Sequence, residues 1–217
     1  MTNRFFITVL VIIALIGGAF ALTKHKSHTN GSNGTSSSVQ PTNHQEGGGK
    51  SGVVLIEYGD YQCPACGSYY PVVKQVVETH KDQITFQFRN FPLVQIHQNA
   101  FAGARAAEAA DKQGKFWEMH DILYETQQTW GAASNPSTYF EQYAQQLGLD
   151  VTKFKADEVS QTVNDLINAD IQEGQKLGAN ATPTFELDGK KMDQNPRSLD
   201  EFNKVIDDAI KAKTSNS

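Results

Sequence analysis

An apolar run, Val53-Val54-Leu55-Ile56, leads into Cys63-Pro64-Ala65-Cys66, and these are the only two cysteines of the 217-residue chain. A short apolar run closed by turn residues reads as a buried strand. A proline just after it fits the first position of a helix, where a backbone N–H has no intrahelical partner. Cys63 then stands at the helix N-terminus, where unpaired N–H groups and the helix dipole favour a thiolate. Cys66, three residues on, falls on the same side of the first turn, within reach of a sulfur–sulfur bond. The spacing therefore predicts a pair that alternates between dithiol and disulfide, with Cys63 accessible and low in pKa and Cys66 shielded. Two other uses fit less well. Zinc needs further ligands at set spacing, and the histidines (His25, His28, His44, His80, His97, His120) are scattered, so no metal is expected. A structural disulfide closing so short a loop would restrain little of the unfolded chain.

Residues 5–22 (FFITVLVIIALIGGAFAL) carry no charge, follow Arg4 and precede Lys24 and Lys26. At about 1.5 Å per residue they span about 27 Å as a helix, close to the hydrocarbon thickness of a bilayer. The segment reads as a single-pass anchor, residues 1–22; Lys24 and Lys26 weaken the charge argument for its orientation, and the redox pair, which as an oxidant needs a compartment where disulfides persist, places the rest outside the cytoplasm. Ala19-Phe20-Ala21 also has the small-x-small pattern of signal cleavage, in which case the protein is secreted or periplasmic. Residues 23–52 are rich in Ser, Thr, Asn, Gly and His and read as a flexible linker. Arg4, Lys24 and Lys26 are the only charges before Glu46, so the remainder holds 16 Lys and Arg against 24 Asp and Glu, a formal charge of −8. No basic stripe points to nucleic acid.

Residues 53–213 suffice for one domain with its own core. Residues 53–58 predict a strand, 64–80 a helix with Val72, Val73, Val76 and Val77 on one face, and 84–89 (ITFQFR) a second strand parallel to the first. Strand signals then vanish. Helices are expected at 99–113, 116–127, 137–147 and 164–177, an insertion spanning about residues 97–177. His97 and His120 are expected to pack among these helices. Residues 183–187 (PTFEL), a turn at Asp188-Gly189, a short strand from Lys190 and a helix at 199–212 close the chain, with Ser198 as N-cap and Glu201 completing a capping box. The order β-α-β, helices, β-β-α is an α/β thioredoxin fold with a helical insertion.

The chain resembles the DsbA-like thioredoxin-fold family of extracytoplasmic thiol:disulfide oxidoreductases. The likeness covers roughly residues 50–212 and rests on IEYGDYQCPAC, on FRNFPL (88–93), on the Ala-rich helix followed by KFWEMHDILYETQQTW (115–130) and on ATPTF (181–185). It implies Cys63 as nucleophile, Cys66 as resolving thiol, and Thr182-Pro183 as a cis-proline dipeptide whose Thr backbone faces the cysteines and pairs with an extended substrate. It also places a proton-relaying acid at Glu57, although the residue alone reads equally as a solvent-facing strand position. Pro64 and Ala65 stand where the family's best-known member has Pro-His. Ala65 offers no side-chain donor to a Cys63 thiolate, so a potential above that of thioredoxin but short of the strongest oxidants is expected. The resemblance further implies a protein that oxidises exported proteins bearing free thiols and is recharged by a membrane-embedded, quinone-linked reoxidase; no cofactor is expected, and with no dimerisation segment obvious a monomer is expected. A disulfide reductase or isomerase, and a peptide-binding holdase without turnover, are the alternative readings.

Overall fold

The computed structural model describes residues 39–215. The apolar span 5–22 lies outside these, and among the described residues no helix is long and apolar enough to cross a membrane. Five strands form one sheet: His44–Glu46 (β1), Val53–Gly59 (β2), Ile84–Asn90 (β3), Thr184–Leu187 (β4) and Lys190–Lys191 (β5), in the order β1-β3-β2-β4-β5. β2 runs parallel to β3, with Val53 opposite Ile84 and Gly59 opposite Asn90. It runs antiparallel to β4, with Tyr58 opposite Thr184. A parallel pair requires a crossover, and Pro64–His80 (α1) supplies it.

The helical block between β3 and β4 holds Ala100–Asp111 (α2), Phe116–Glu125 (α3), Gln127–Gly131 (α4), Ser137–Gln146 (α5), Val151–Glu158 (α6) and Gln161–Leu177 (α7); Leu199–Thr214 (α8) ends the described chain. Ala106, Ala107, Ala109 and Ala110 of α2 are wholly buried. Their small side chains let neighbouring helices approach α2 from several directions at interior packing density. On one face of the sheet Tyr69 of α1 and Phe202 of α8 meet Phe185 of β4, with ring centroids 5.7 and 5.1 Å away. On the other, a Cβ at Gly174 of α7 would stand 2.7 Å from the Phe91 ring and 2.9 Å from the Tyr58 ring, so glycine allows α7 this close approach.

Several expectations are corrected. The stretch 23–52 is not linker throughout, because β1 pairs with β3, His44 opposite Phe88. Polar anchors hold it there. The Thr42 N–H and hydroxyl both donate to the buried Asp170 carboxylate at 2.7 Å, and His44 Nε2 lies 2.7 Å from Glu108 Oε1. The His44 ring stacks on Phe116 with centroids 3.5 Å apart. Two helices, α4 and α6, were not expected. α7 starts at Gln161, three residues before the expected Asn164, where the Ser160 hydroxyl accepts from the Val163 N–H. At α8 the Ser198 hydroxyl accepts from the Glu201 N–H, but the Glu201 carboxylate accepts from the N–H of Arg197, so the reciprocal half of the box is displaced by one residue.

Candidate functional site

β2 carries the chain through Glu57 to a turn at Asp60, and the turn delivers Cys63 to the start of α1. The Asp60 carboxylate organises this turn, accepting from the N–H groups of Gln62 (2.8 Å) and Leu93 (2.9 Å), while His97 Nδ1 lies 2.7 Å from Asp60 Oδ2. Gln127 of α4 adds a second brace, donating from one amide nitrogen to the carbonyls of Tyr61 (2.8 Å) and Cys63 (2.9 Å). Asp60 and Gln127 were not singled out in the sequence. Side chains that bond to backbone 64 to 66 positions away leave no periodic trace.

Cys63 is the N-cap of α1, in extended conformation, and Pro64 is the first helical residue. The site is in its dithiol form. Cys63 is 7% exposed and Cys66 0%, so Cys63 is less open than expected and yet the more accessible of the two. The Cys66 thiol, hydrogen-bonded to the Cys63 sulfur, does most to lower the Cys63 pKa; burial works against it, and the N–H groups of Cys66 and Ala65 add to the lowering, to about 5. Burial pushes the Cys66 thiol well above its ordinary value, and the neighbouring Cys63 and Glu57 push the same way. One sulfur is therefore a ready nucleophile at neutral pH, and the other stays protonated until a base takes its proton. Titration of the reduced protein by thiolate absorbance should give a first midpoint near pH 5. Iodoacetamide at about pH 6 should alkylate Cys63 well before Cys66; preferential labelling of Cys66 would reverse the two roles.

Glu57 faces the interior. It is 3% exposed, lies between Phe88 and Phe185 in the ladder, and its Oε1 has no hydrogen-bond partner among the described residues. Burial, with the nearby Cys63 charge, raises its pKa to about 8. The Thr182–Pro183 peptide bond is cis, and the Thr182 carbonyl lies 3.4 Å from Cys63 Sγ. That carbonyl can accept from the thiol but has no hydrogen to offer a thiolate. β4 begins only at Thr184, which leaves the Thr182 backbone outside the ladder, beside the nucleophile. Ala65 contributes a backbone N–H and no side-chain donor. The structure thus brings Cys63, Cys66, Glu57, Thr182 and Pro183 together at one end of the sheet. His97 braces the Cys loop through Asp60, and His120 packs against Tyr61, Phe88, Trp117 and Tyr124.

The sequence profile described as "Thioredoxin" matches residues 39–208. Among solved structures, BdbD from Bacillus subtilis in its oxidised form superposes with a TM-score of 0.66 at 23% identity, over 80% of this chain and 97% of that one. A thioredoxin-like oxidoreductase from Silicibacter pomeroyi DSS-3 gives 0.66 at 25% identity, over 79% and 94%. Alpha-DsbA1 from Wolbachia pipientis gives 0.69 at 20%, over 82% and 96%. A curated relative, Na(+)/H(+) antiporter NhaA 1 of Salinispora arenicola, is 34% identical over 148 residues, which are 68% of this chain; the chain spans only 22% of that relative's length. A profile match over most of the described residues and agreement of the whole fold with these structures lead to one assignment: the chain belongs to the thioredoxin family and has the fold of the DsbA-like thiol-disulfide oxidoreductases.

Proposed function

We propose that this protein is a disulfide oxidase that passes the Cys63–Cys66 disulfide to exported proteins with free thiols. The observation that carries the reading is the opposed acidity of the two sulfurs, Cys63 lowered to about 5 and Cys66 raised. A thiolate of pKa about 5 stabilises the dithiol form at pH 7 by about 2.7 kcal/mol relative to an ordinary thiol, on the order of 60 mV toward a more oxidising couple. A substrate thiolate attacks Cys63 Sγ and expels Cys66. The substrate's second thiolate then attacks its own sulfur in the mixed disulfide, releasing Cys63 as a thiolate and leaving the substrate oxidised. The Thr182 backbone beside Cys63 suits an extended substrate segment, which pairs there by main-chain hydrogen bonds.

The apolar span 5–22 supports a membrane tether with the redox domain outside the cytoplasm, where a product disulfide persists. Recharging by a membrane-embedded, quinone-linked partner fits that placement.

Refolding of reduced ribonuclease separates the readings. The disulfide form alone, without added oxidant, should restore ribonuclease activity in proportion to the protein supplied. Rapid insulin reduction with no ribonuclease recovery would assign the chain to the reductases. Neither activity would leave a peptide-binding module.

A further inference from the structure

Cys66 is wholly buried, so the proton it must lose before attacking a mixed disulfide cannot pass directly to solvent. Glu57 is the acid beside it, and Glu57 is itself enclosed. Next to Glu57 lies a cavity of about 30 Å³, lined also by His120 and Tyr124 and reaching Lys74 and Asp121. Glu57 Oε1, His120 Nε2 and Tyr124 Oη are all buried without a hydrogen-bond partner among the described residues. A cavity of that size has room for a water molecule, and Glu57, His120 and Tyr124 are among the residues that line it. At the outer end His120 Nδ1 lies 3.2 Å from Asp121 Oδ1, while Lys74 donates to Asp121 Oδ2 at 2.7 Å. Asp121 is 35% exposed.

The bond to Asp121 fixes the tautomer. A carboxylate accepts only, so Nδ1 carries the hydrogen and Nε2 presents a lone pair. Burial keeps the ring neutral, against the pull of Asp121; Lys74 of α1 and His44 of β1 disfavour its charging as well. The remaining titratable groups that meet the ring are phenols, Tyr61, Tyr70 and Tyr124, all raised in pKa by burial and so protonated.

We propose that His120 is a relay residue of the redox site, acting through Glu57: it carries the resolving thiol's proton from Glu57, across a water in this cavity, to Asp121 and solvent. The inference rests on the redox reading above. In resolution Cys66 Sγ attacks Cys63 Sγ, the bond from Cys63 to the outer sulfur breaks, and the outer sulfur leaves with the electron pair as a thiolate. The Cys66 proton passes to the Glu57 carboxylate. Glu57 hands a proton through the water to His120 Nε2 as Nδ1 releases its own to Asp121. The step is timed by charge. The Cys63 thiolate is one cause of Glu57's raised pKa, and once Cys63 is tied up in a mixed disulfide that charge is gone and Glu57 becomes the stronger acid.

Reduced protein mixed with dithiobis-nitrobenzoate provides the test, because it releases one thionitrobenzoate when Cys63 attacks and a second when Cys66 resolves the adduct. His120→Ala and His120→Gln should leave the first release within twofold and slow the second by about tenfold near pH 7, less than the roughly 10²–10⁴-fold of a direct general acid or base because His120 acts through Glu57. Added imidazole should restore the second release in His120→Ala. If both variants melt as the parent and resolve within twofold of it, or if a folded His120→Ala is slow and imidazole does not restore it, His120 is no relay. Should neither variant fold, the parent decides the matter. Its second release in mixed light and heavy water should bow with deuterium fraction, as two or more protons in flight require, and a straight line would overturn the relay. Absence of any second release from the parent would instead remove Cys66 as resolving thiol, and with it the proposed function.

Discussion

Cys63→Ala is expected to abolish disulfide exchange, whereas Cys66→Ala should keep the first chemical step and stall after it. The thiol left in Cys63→Ala belongs to Cys66, wholly buried and with a pKa pushed above 9. At pH 7 the thiolate fraction alone then falls at least about 100-fold below that of a thiol with pKa near 5, before access is considered. In Cys66→Ala the nucleophile survives, but it loses the hydrogen bond that does most to hold its charge. Its pKa should therefore rise toward the ordinary range while attack continues. Mixed disulfides then accumulate, because no second thiol cuts them. Non-reducing gels of either variant expressed in cells should show ladders only for Cys66→Ala, collapsing on reduction. Ladders from Cys63→Ala and none from Cys66→Ala would invert the mechanism.

The second large effect lies away from the redox site, at the strand that docks through His44. Burial opposes charge on this ring, but hydrogen bonds and charges from Asp111 and Glu108 outweigh it and raise the pKa from 6.5 to about 9. At about 1.4 kcal/mol per pH unit, the interaction contributes up to about 3 kcal/mol. Because the folded-state value is the higher one, that contribution is complete below about pH 6.5 and fades as pH rises through about 9. Urea melts of His44→Leu against the parent should therefore differ by about 2–3 kcal/mol near pH 6 and by much less near pH 10. Trp117, whose indole N–H donates to the Gln45 carbonyl at 3.3 Å, provides a fluorescent report on β1 itself. An equal difference at both pH values would mean that His44 acts by packing on Phe116 and not by charge.

These two regions mark what the sequence made legible and what it hid. The Cys pair, the βαβ unit around it and the cap at Ser198 are local patterns, each written within one turn or one strand. Glu57 was open because β2 is buried along nearly its whole length, so the alternation that would assign faces is missing. β1 was hidden because Thr42 and His44 are polar and owe their burial to Asp170 and Glu108, which follow far along the chain. Composition reads such a stretch as solvated. α6 carries only Phe154 and Glu158 as buried residues, too few apolar positions to set a helical period. Apart from the local bond from the Gln62 N–H, the contacts of Asp60 and Gln127 reach partners 33 to 66 positions away, and they become visible only when the fold brings those partners together.

The Gln127 brace ties chemistry to folding. The carbonyls of Tyr61 and Cys63 receive their amide donor from α4, in the helical block that lies between β3 and β4. Until that block has docked, the turn that presents Cys63 lacks one of its supports. β4 and the Thr182 carbonyl follow later still in the chain. A partly synthesised or partly unfolded copy therefore holds both cysteines without the setting that separates their acidities, and its Cys63 behaves as an ordinary thiol. Reactivity in this architecture is a property of the finished domain, which protects the molecule from indiscriminate exchange with other chains while it is still being made.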